Sequence, residues 1–171
     1  FEGGFTLEAA EAVLDLPDSC ESTWAVDVVH ALVQKSLVRR VSQKRFDLLR
    51  TVQEYVHTRL SRLNPQLPAA AQTRHAHYFA ALSESAAIAD RCADTDNLVA
   101  ACRRAVACRS TPDALGNLLN AWAVLRLTGP FNVALGLADA VAELPGPGVH
   151  RYRIRAFCAP SFPEGFGGPE I

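Results

Sequence analysis

The sequence predicts a mainly α-helical chain carrying one small β-hairpin, and three observations predict it. Apolar residues recur at helical spacing along most of the chain. Two short β-prone runs, Leu37-Val38-Arg39-Arg40-Val41 and Arg45-Phe46-Asp47-Leu48-Leu49, interrupt that periodicity on either side of Ser42-Gln43-Lys44. Proline and glycine at Thr111-Pro112-Asp113, Gly129-Pro130 and Gly146-Pro147-Gly148 then divide the second half into segments of helix length.

The first residues read as the lead-in to a helix. Thr6 is placed as its N-cap and Glu8 in its first turn, where a carboxylate favours the helix dipole. Leu7, Ala10, Val13 and Leu14 fall on one face, Pro17 ends the helix, and a polar loop follows over 18–23. A second helix is expected at about 24–35, with Ala25, Val28, Val29, Leu32 and Val33 on its apolar stripe. The hairpin comes next, its turn lacking an Asn-Gly signal. Val52, Tyr55, Val56, Leu60 and Leu63 mark a third helix. Helix, helix, hairpin, helix is the order of a winged helix-turn-helix whose first helix lies upstream of Phe1. Residues 1–63 are therefore expected to be an incomplete winged-helix domain in a piece of a longer protein.

Asn64-Pro65-Gln66-Leu67-Pro68 has the composition of a linker. Beyond it a long helix is expected over about 69–91, with Phe79, Leu82, Ala86 and Ala89 inward. Another is expected at about 96–109, using Leu98, Ala101, Cys102, Ala105 and Val106. Thr111 followed by Pro112 is a start signal for a helix bearing Leu115, Leu118, Leu119, Trp122 and Leu125. Gly129-Pro130 separates it from a last helix through Leu137, Val141 and Leu144. Helices joined by short turns suggest antiparallel pairs stacked as a solenoid over 69–145, and an ordinary helical bundle remains the alternative. Residues 146–171, rich in proline and glycine, read as an irregular tail.

Composition narrows the function classes. The chain has 171 residues, 49% apolar and 20% charged, with a formal net charge of -1, which is globular and gives no overall pull toward polyanions. No apolar run approaches the roughly 18 residues that span a bilayer, so a cytoplasmic protein without membrane partners is expected. The five cysteines (Cys20, Cys92, Cys102, Cys108, Cys158) are scattered and odd in number, which suits reduced, mostly buried thiols. No GxxxxGK[ST] loop is present to hold a nucleotide. His75-x-His77 places two imidazoles at i, i+2, on different faces of a helix, so metal binding is not expected. No local nucleophile signature suggests an enzyme.

Charge is split along the winged-helix part. Residues 1–34 hold seven acidic side chains and no Lys or Arg, whereas 35–62 hold eight basic ones against Asp47 and Glu54. A DNA reader needs donors for base edges on its recognition helix. The candidate at 24–35 offers Asp27, His30, Gln34 and a terminal Lys35, which is poor equipment. Protein contact is the better use of the basic wing, and Arg39, Arg40, Lys44 and Arg45 are its candidate interaction residues.

Five stretches add a resemblance. Phe1 through Val13, Ala31-Leu32-Val33-Gln34-Lys35-Ser36-Leu37-Val38, Arg45 through Tyr55, Arg74-His75-Ala76-His77-Tyr78-Phe79 and Asp96-Asn97-Leu98 through Ala101 resemble, in order, segments of bacterial STAND-class signalling ATPases and transcriptional regulators. The resemblance spans about residues 1–144. It implies an upstream nucleotide-binding domain that holds ATP or ADP, a winged helix packed on it, and TPR-like repeats that sense a protein or small effector. This stretch itself would then carry no cofactor, and DNA binding would belong to a separate domain. The Pro/Gly-rich tail departs from the pattern where a further repeat helix would stand.

Overall fold

A computed structural model describes residues 1–14, 24–63 and 66–145, apart from the side chain of Ser61. It is mainly helical, with one three-stranded antiparallel sheet.

The lead-in to the first helix is itself a short strand, β1 (Phe5–Thr6), followed directly by α1 (Leu7–Val13). Thr6 does cap α1, its Oγ1 accepting from the Ala9 N–H at 3.2 Å. The helix stops at Val13, Leu14 being already extended, and the Pro17 stop and the 18–23 loop lie outside the described residues. After α2 (Ala25–Gln34) the hairpin forms from β2 (Val38–Arg40) and β3 (Arg45–Leu48), pairing Val38 with Leu48, Arg39 with Asp47 and Arg40 with Phe46. The strand β1 adds to the other edge of β3, Phe5 opposite Phe46 and Thr6 opposite Arg45, so the sheet order is β1-β3-β2. Phe5, Ala10, Val29 and Val38 make the small core between sheet and helices.

Glycine makes this approach possible. A Cβ on Gly4 (φ 93°) would lie 2.7 Å from the Phe46 carbonyl oxygen. Only a residue without a side chain reaches the sheet edge in that conformation.

The third helix, α3 (Arg50–Leu63), has no fully buried residue among its described side chains. Of its expected stripe, Tyr55, Val56 and Leu63 are exposed, at 66%, 40% and 69%. Nor is the stretch after it a linker throughout: Gln66, Leu67 and Pro68 form the first turn of α4 (Gln66–Ala80). Proline is tolerated there because first-turn N–H groups have no intrahelical partner.

The expected helix over 69–91 breaks after Ala80. A new turn, α5 (Glu84–Ala87), begins under the Ser83 cap, whose Oγ accepts from the Ala86 N–H at 3.3 Å, and α6 (Ala89–Cys92) is a distorted turn with Asp90, Arg91 and Cys92 at positive φ. The break shifts the inward set, burying Ala87 and exposing Ala86 and Ala89. Its cause is tertiary. The Asn120 side-chain amide donates to the carbonyls of Phe79 and Leu82, both at 3.0 Å, and Asn117 donates to the Ala76 carbonyl at 2.8 Å. The Phe79 and Leu82 carbonyls, past the reach of the α4 ladder, are thus taken up by a neighbouring helix.

That neighbour is α8 (Thr111–Thr128), joined to α7 (Thr95–Ala107) by a three-residue turn and packed along it and against α4 and α9 (Phe131–Ala142). Its N-cap is Ser110, so Thr111 and Pro112 are the first two helical residues. Phe79, Leu98, Trp122, Val124 and Leu125 fill the core of this region, while Leu119 is 51% exposed. Gly116 allows the α4–α8 approach, since a Cβ there would meet the Ala80 carbonyl oxygen at 2.8 Å. Cys102 is buried, Cys92 half-buried and Cys108 exposed; Cys20 and Cys158, like the tail over 146–171, lie outside the described residues.

Candidate functional site

The four basic residues singled out on the hairpin do not form one outward patch. Arg39 is exposed and pairs across the strands with Asp47, its Nη2 and Nε lying 2.8 and 3.1 Å from the same carboxylate oxygen. Arg40 donates to the turn carbonyls of Ser42 (3.0 Å) and Gln43 (2.7 Å) at the hairpin tip, which lacks a tight-turn signal. Lys44 is exposed. Hydrogen bonds from the Glu8 backbone and from Thr6 hold the Glu8 carboxyl below the usual carboxylate range, with a smaller contribution from the charge of Lys44.

Arg45 departs from the expectation of a wing contact. It is buried, and its guanidinium reaches Asp94 at 2.9 and 3.1 Å and the carbonyls of Ala93 (3.2 Å) and Gly3 (3.4 Å). Because Arg45 sits on β3, opposite Thr6, its side chain leaves the sheet toward the loop that precedes α7. Its role is internal.

Asn97 completes the same junction. It is fully buried, accepts from the Glu2 N–H at 2.6 Å, and donates to the Gly4 carbonyl at 2.7 Å and to Asp94 at 2.9 Å. Farther along α7, Arg104 pairs with Glu2 at 3.1 Å. The segment 1–4 is thus hydrogen-bonded into the first turns of α7, and Arg74 of α4 donates to the Val13 carbonyl at 2.7 Å. None of these long-range partners was singled out from the sequence. A signal existed for Asn97, a polar side chain four residues before Ala101 and eight before Ala105 on the apolar face of α7.

Two cavities flank the junction. One, of about 790 Å³, lies between the hairpin, α3 and α7. Its lining carries as many carboxylates (Glu2, Asp47, Glu54, Asp96) as guanidinium groups (Arg39, Arg50, Arg103, Arg104), so it has no excess field to hold a polyanion. The other, of about 490 Å³, lies between α3, α4 and Phe1, and its wall is largely apolar. His75 lines it, and burial followed by the charge of Arg104 pushes the His75 pKa down to about 3. The imidazole is neutral at ordinary pH.

His77, on the opposite side of α4 from His75, is exposed and pairs with Asp113 at 3.1 Å, while Ser110 donates to the other oxygen of that carboxylate at 2.9 Å. Serine and histidine thus share an acid at the start of α8 and do not touch each other. Burial pushes the Cys102 thiol up to about 12, its Sγ lying 3.7 Å from the Ala114 carbonyl. Among the described residues no three His, Cys, Asp or Glu side chains converge as metal ligands, and no helix is long and apolar enough to cross a membrane.

Compared with known proteins, the chain matches no family, no curated protein and no solved structure.

Proposed function

We propose that this chain is a non-catalytic regulatory module of a multidomain bacterial signalling ATPase of the STAND class. In this reading a winged helix-turn-helix over 1–63 docks on an upstream nucleotide-binding domain in the cytoplasm, and TPR-like helices over 69–145 bind a protein or small effector. ATP or ADP belongs to the upstream domain. The winged-helix assignment draws support from the strand that precedes the helix pair and returns to the hairpin edge, giving the sheet order β1-β3-β2. The TPR-like assignment draws support from the helical pair α7–α8, joined by a short turn and packed against α4 and α9.

The observation that carries the reading is the junction of Arg45 and Asn97. It ties the hairpin and the N-terminal segment directly to the first turns of α7, so a change of packing in one half is felt in the other. A module of this kind acts by having two packings whose balance shifts with nucleotide on one side and effector on the other. Protein contact is favoured over DNA because two of the wing cations are already engaged within the hairpin, Arg39 by Asp47 and Arg40 by turn carbonyls.

The test joins the module to the nucleotide-binding domain that precedes it and follows release of a fluorescent ADP. Reversing Arg39, Arg40 and Lys44 to Glu is expected to change release by about tenfold, the scale of a coupling of 1–3 kcal/mol. Identical release with and without the module would sink the proposal. Salt-dependent binding to duplex DNA, weakened by Arg39→Ala and Arg40→Ala, would favour a DNA-binding regulator in its place.

A further inference from the structure

Isolated helices shorter than about 12–15 residues are marginal in water and depend on a covered apolar face. The helix α3 has 14 residues, and none of its described side chains is fully buried. Val52, Gln53 and Leu60 are half-buried, and Gln53 donates to the Phe1 carbonyl at 3.3 Å. The outer side is different. Tyr55, Val56, Arg59, Arg62 and Leu63 stand at i, i+1, i+4, i+7 and i+8, which share one side of a helix, and all five are exposed. Neither arginine has an ion-pair or hydrogen-bond partner among the described residues, whereas Arg39, Arg45 and Arg50 in the same half each hold a carboxylate. No acid lies close in sequence to neutralise them. From Tyr55 to Ser83 the chain carries Arg59, Arg62 and Arg74 and no Asp or Glu.

We propose that the outer face of α3 docks an amphipathic helix of a partner protein, one whose apolar stripe is flanked by Asp or Glu. The stripe covers Tyr55, Val56 and Leu63, and the flanking carboxylates meet Arg59 and Arg62, whose planar guanidinium groups take a carboxylate in bidentate fashion. A convex helix surface offers no strand edge, so its complement is a second helix laid ridge into groove. From Tyr55 to Leu63 the face is about 12 Å long, which matches some two turns of a partner. Nucleic acid suits it less, since phosphates would engage the arginines and leave Val56 and Leu63 in water. An anionic membrane suits it less too, because recognition of that kind takes a cluster of about 4–8 basic residues. The inference goes beyond docking of the wing, as it uses α3 alone and none of Arg39, Arg40 and Lys44.

Fluorescence anisotropy of a labelled synthetic helix, titrated with the chain, tests the face. The peptide, acetylated and amidated, has about 18 residues of Leu, Ala and Glu, with Leu at i, i+3, i+4 and i+7 and Glu on both flanks. Saturable binding that weakens as salt rises is expected. Exchanging every Glu for Lys, or scattering the same Leu residues around the helix, is expected to weaken it at least about tenfold. Arg59→Glu with Arg62→Glu, and separately Leu63→Asp, are expected to do the same. These are exposed positions, circular dichroism checks their fold, and should one variant fail to fold the other and the control peptides decide. No saturable binding, equal binding of either control peptide, or binding that either folded variant leaves unchanged would each overturn the proposal. So would sedimentation with phosphatidylserine vesicles, or a shift of duplex DNA, that Arg59→Glu with Arg62→Glu abolishes while the peptide stays unbound.

Discussion

The N-terminal region (1–14 and 24–63) and the helical region (66–145) reach a fixed structure by different means. Among the described residues, the helical core comprises seventeen buried side chains and the N-terminal core four, so apolar burial weighs far more in the helical region. The N-terminal region compensates with polar fastening. Arg45 and Asn97 bind its strand and its lead segment to α7, and Phe1 packs on His75 of α4. Polar fastening is specific in geometry but fails abruptly when one partner is removed, because the other is left buried and unmatched. The contrast also explains α3. It follows the small core, most of its apolar residues are not covered by the described residues, and it rests on the molecule through the cavity wall instead of a packed stripe.

This comparison can be broken at several points. Phe79→Ala removes the largest fully buried side chain of the helical core and is expected to cost about 3–5 kcal/mol, seen as a lower urea midpoint for the whole chain. Asp94→Ala leaves Arg45 buried without its carboxylate and is expected to cost about 3–5 kcal/mol. Its signature differs, however: hydrogen exchange should rise first in β1–β3 and α1 while α7–α9 stay protected. Uniform loss of protection would show that the two regions unfold as one unit, and the contrast would have to be abandoned.

A pH scan sharpens the picture at the boundary. His75 has a folded pKa of about 3 and an ordinary value of 6.5. The unfolded chain therefore binds the proton first as pH falls, and stability is intact above pH 6.5 and declines between 6.5 and 3. The slope is about 1.4 kcal/mol per pH unit at most. His75→Phe should flatten that part of the curve, and an unchanged slope in this variant would assign it to other groups. The smallest effect is expected on α3. Leu63→Ser, at a residue 69% exposed, should change stability by less than about 0.5 kcal/mol, and a loss of several times that would reveal packing against α3 that the described residues do not provide.

Much of the helical region was legible in the sequence. The stripes of α2, α7 and α8 emerge with Val29, Leu98, Ala101, Leu118 and Trp122 buried, because helical periodicity is a local property that survives folding. The hairpin was legible too, since its two β-prone runs and four-residue turn are contiguous. The strand β1 was not. Two residues carry no period, and Phe5–Thr6 becomes a strand only because β3 offers an edge. The break after Ala80 was hidden for a similar reason, Ala80-Ala81-Leu82 being good helix formers, and it is stabilised by Asn120, some forty residues away.

The sequence by itself determined the helices with strong stripes, the hairpin, the Thr6 cap and the divided charge, because each is written in neighbours along the chain. Tertiary structure decided the rest. It turned Arg45 from a wing residue into an internal clamp, set Asn97 between Glu2, Gly4 and Asp94, and placed His75 at a cavity wall between two rings. Which partner a polar side chain meets depends on segments tens of residues apart, and no local pattern encodes that meeting.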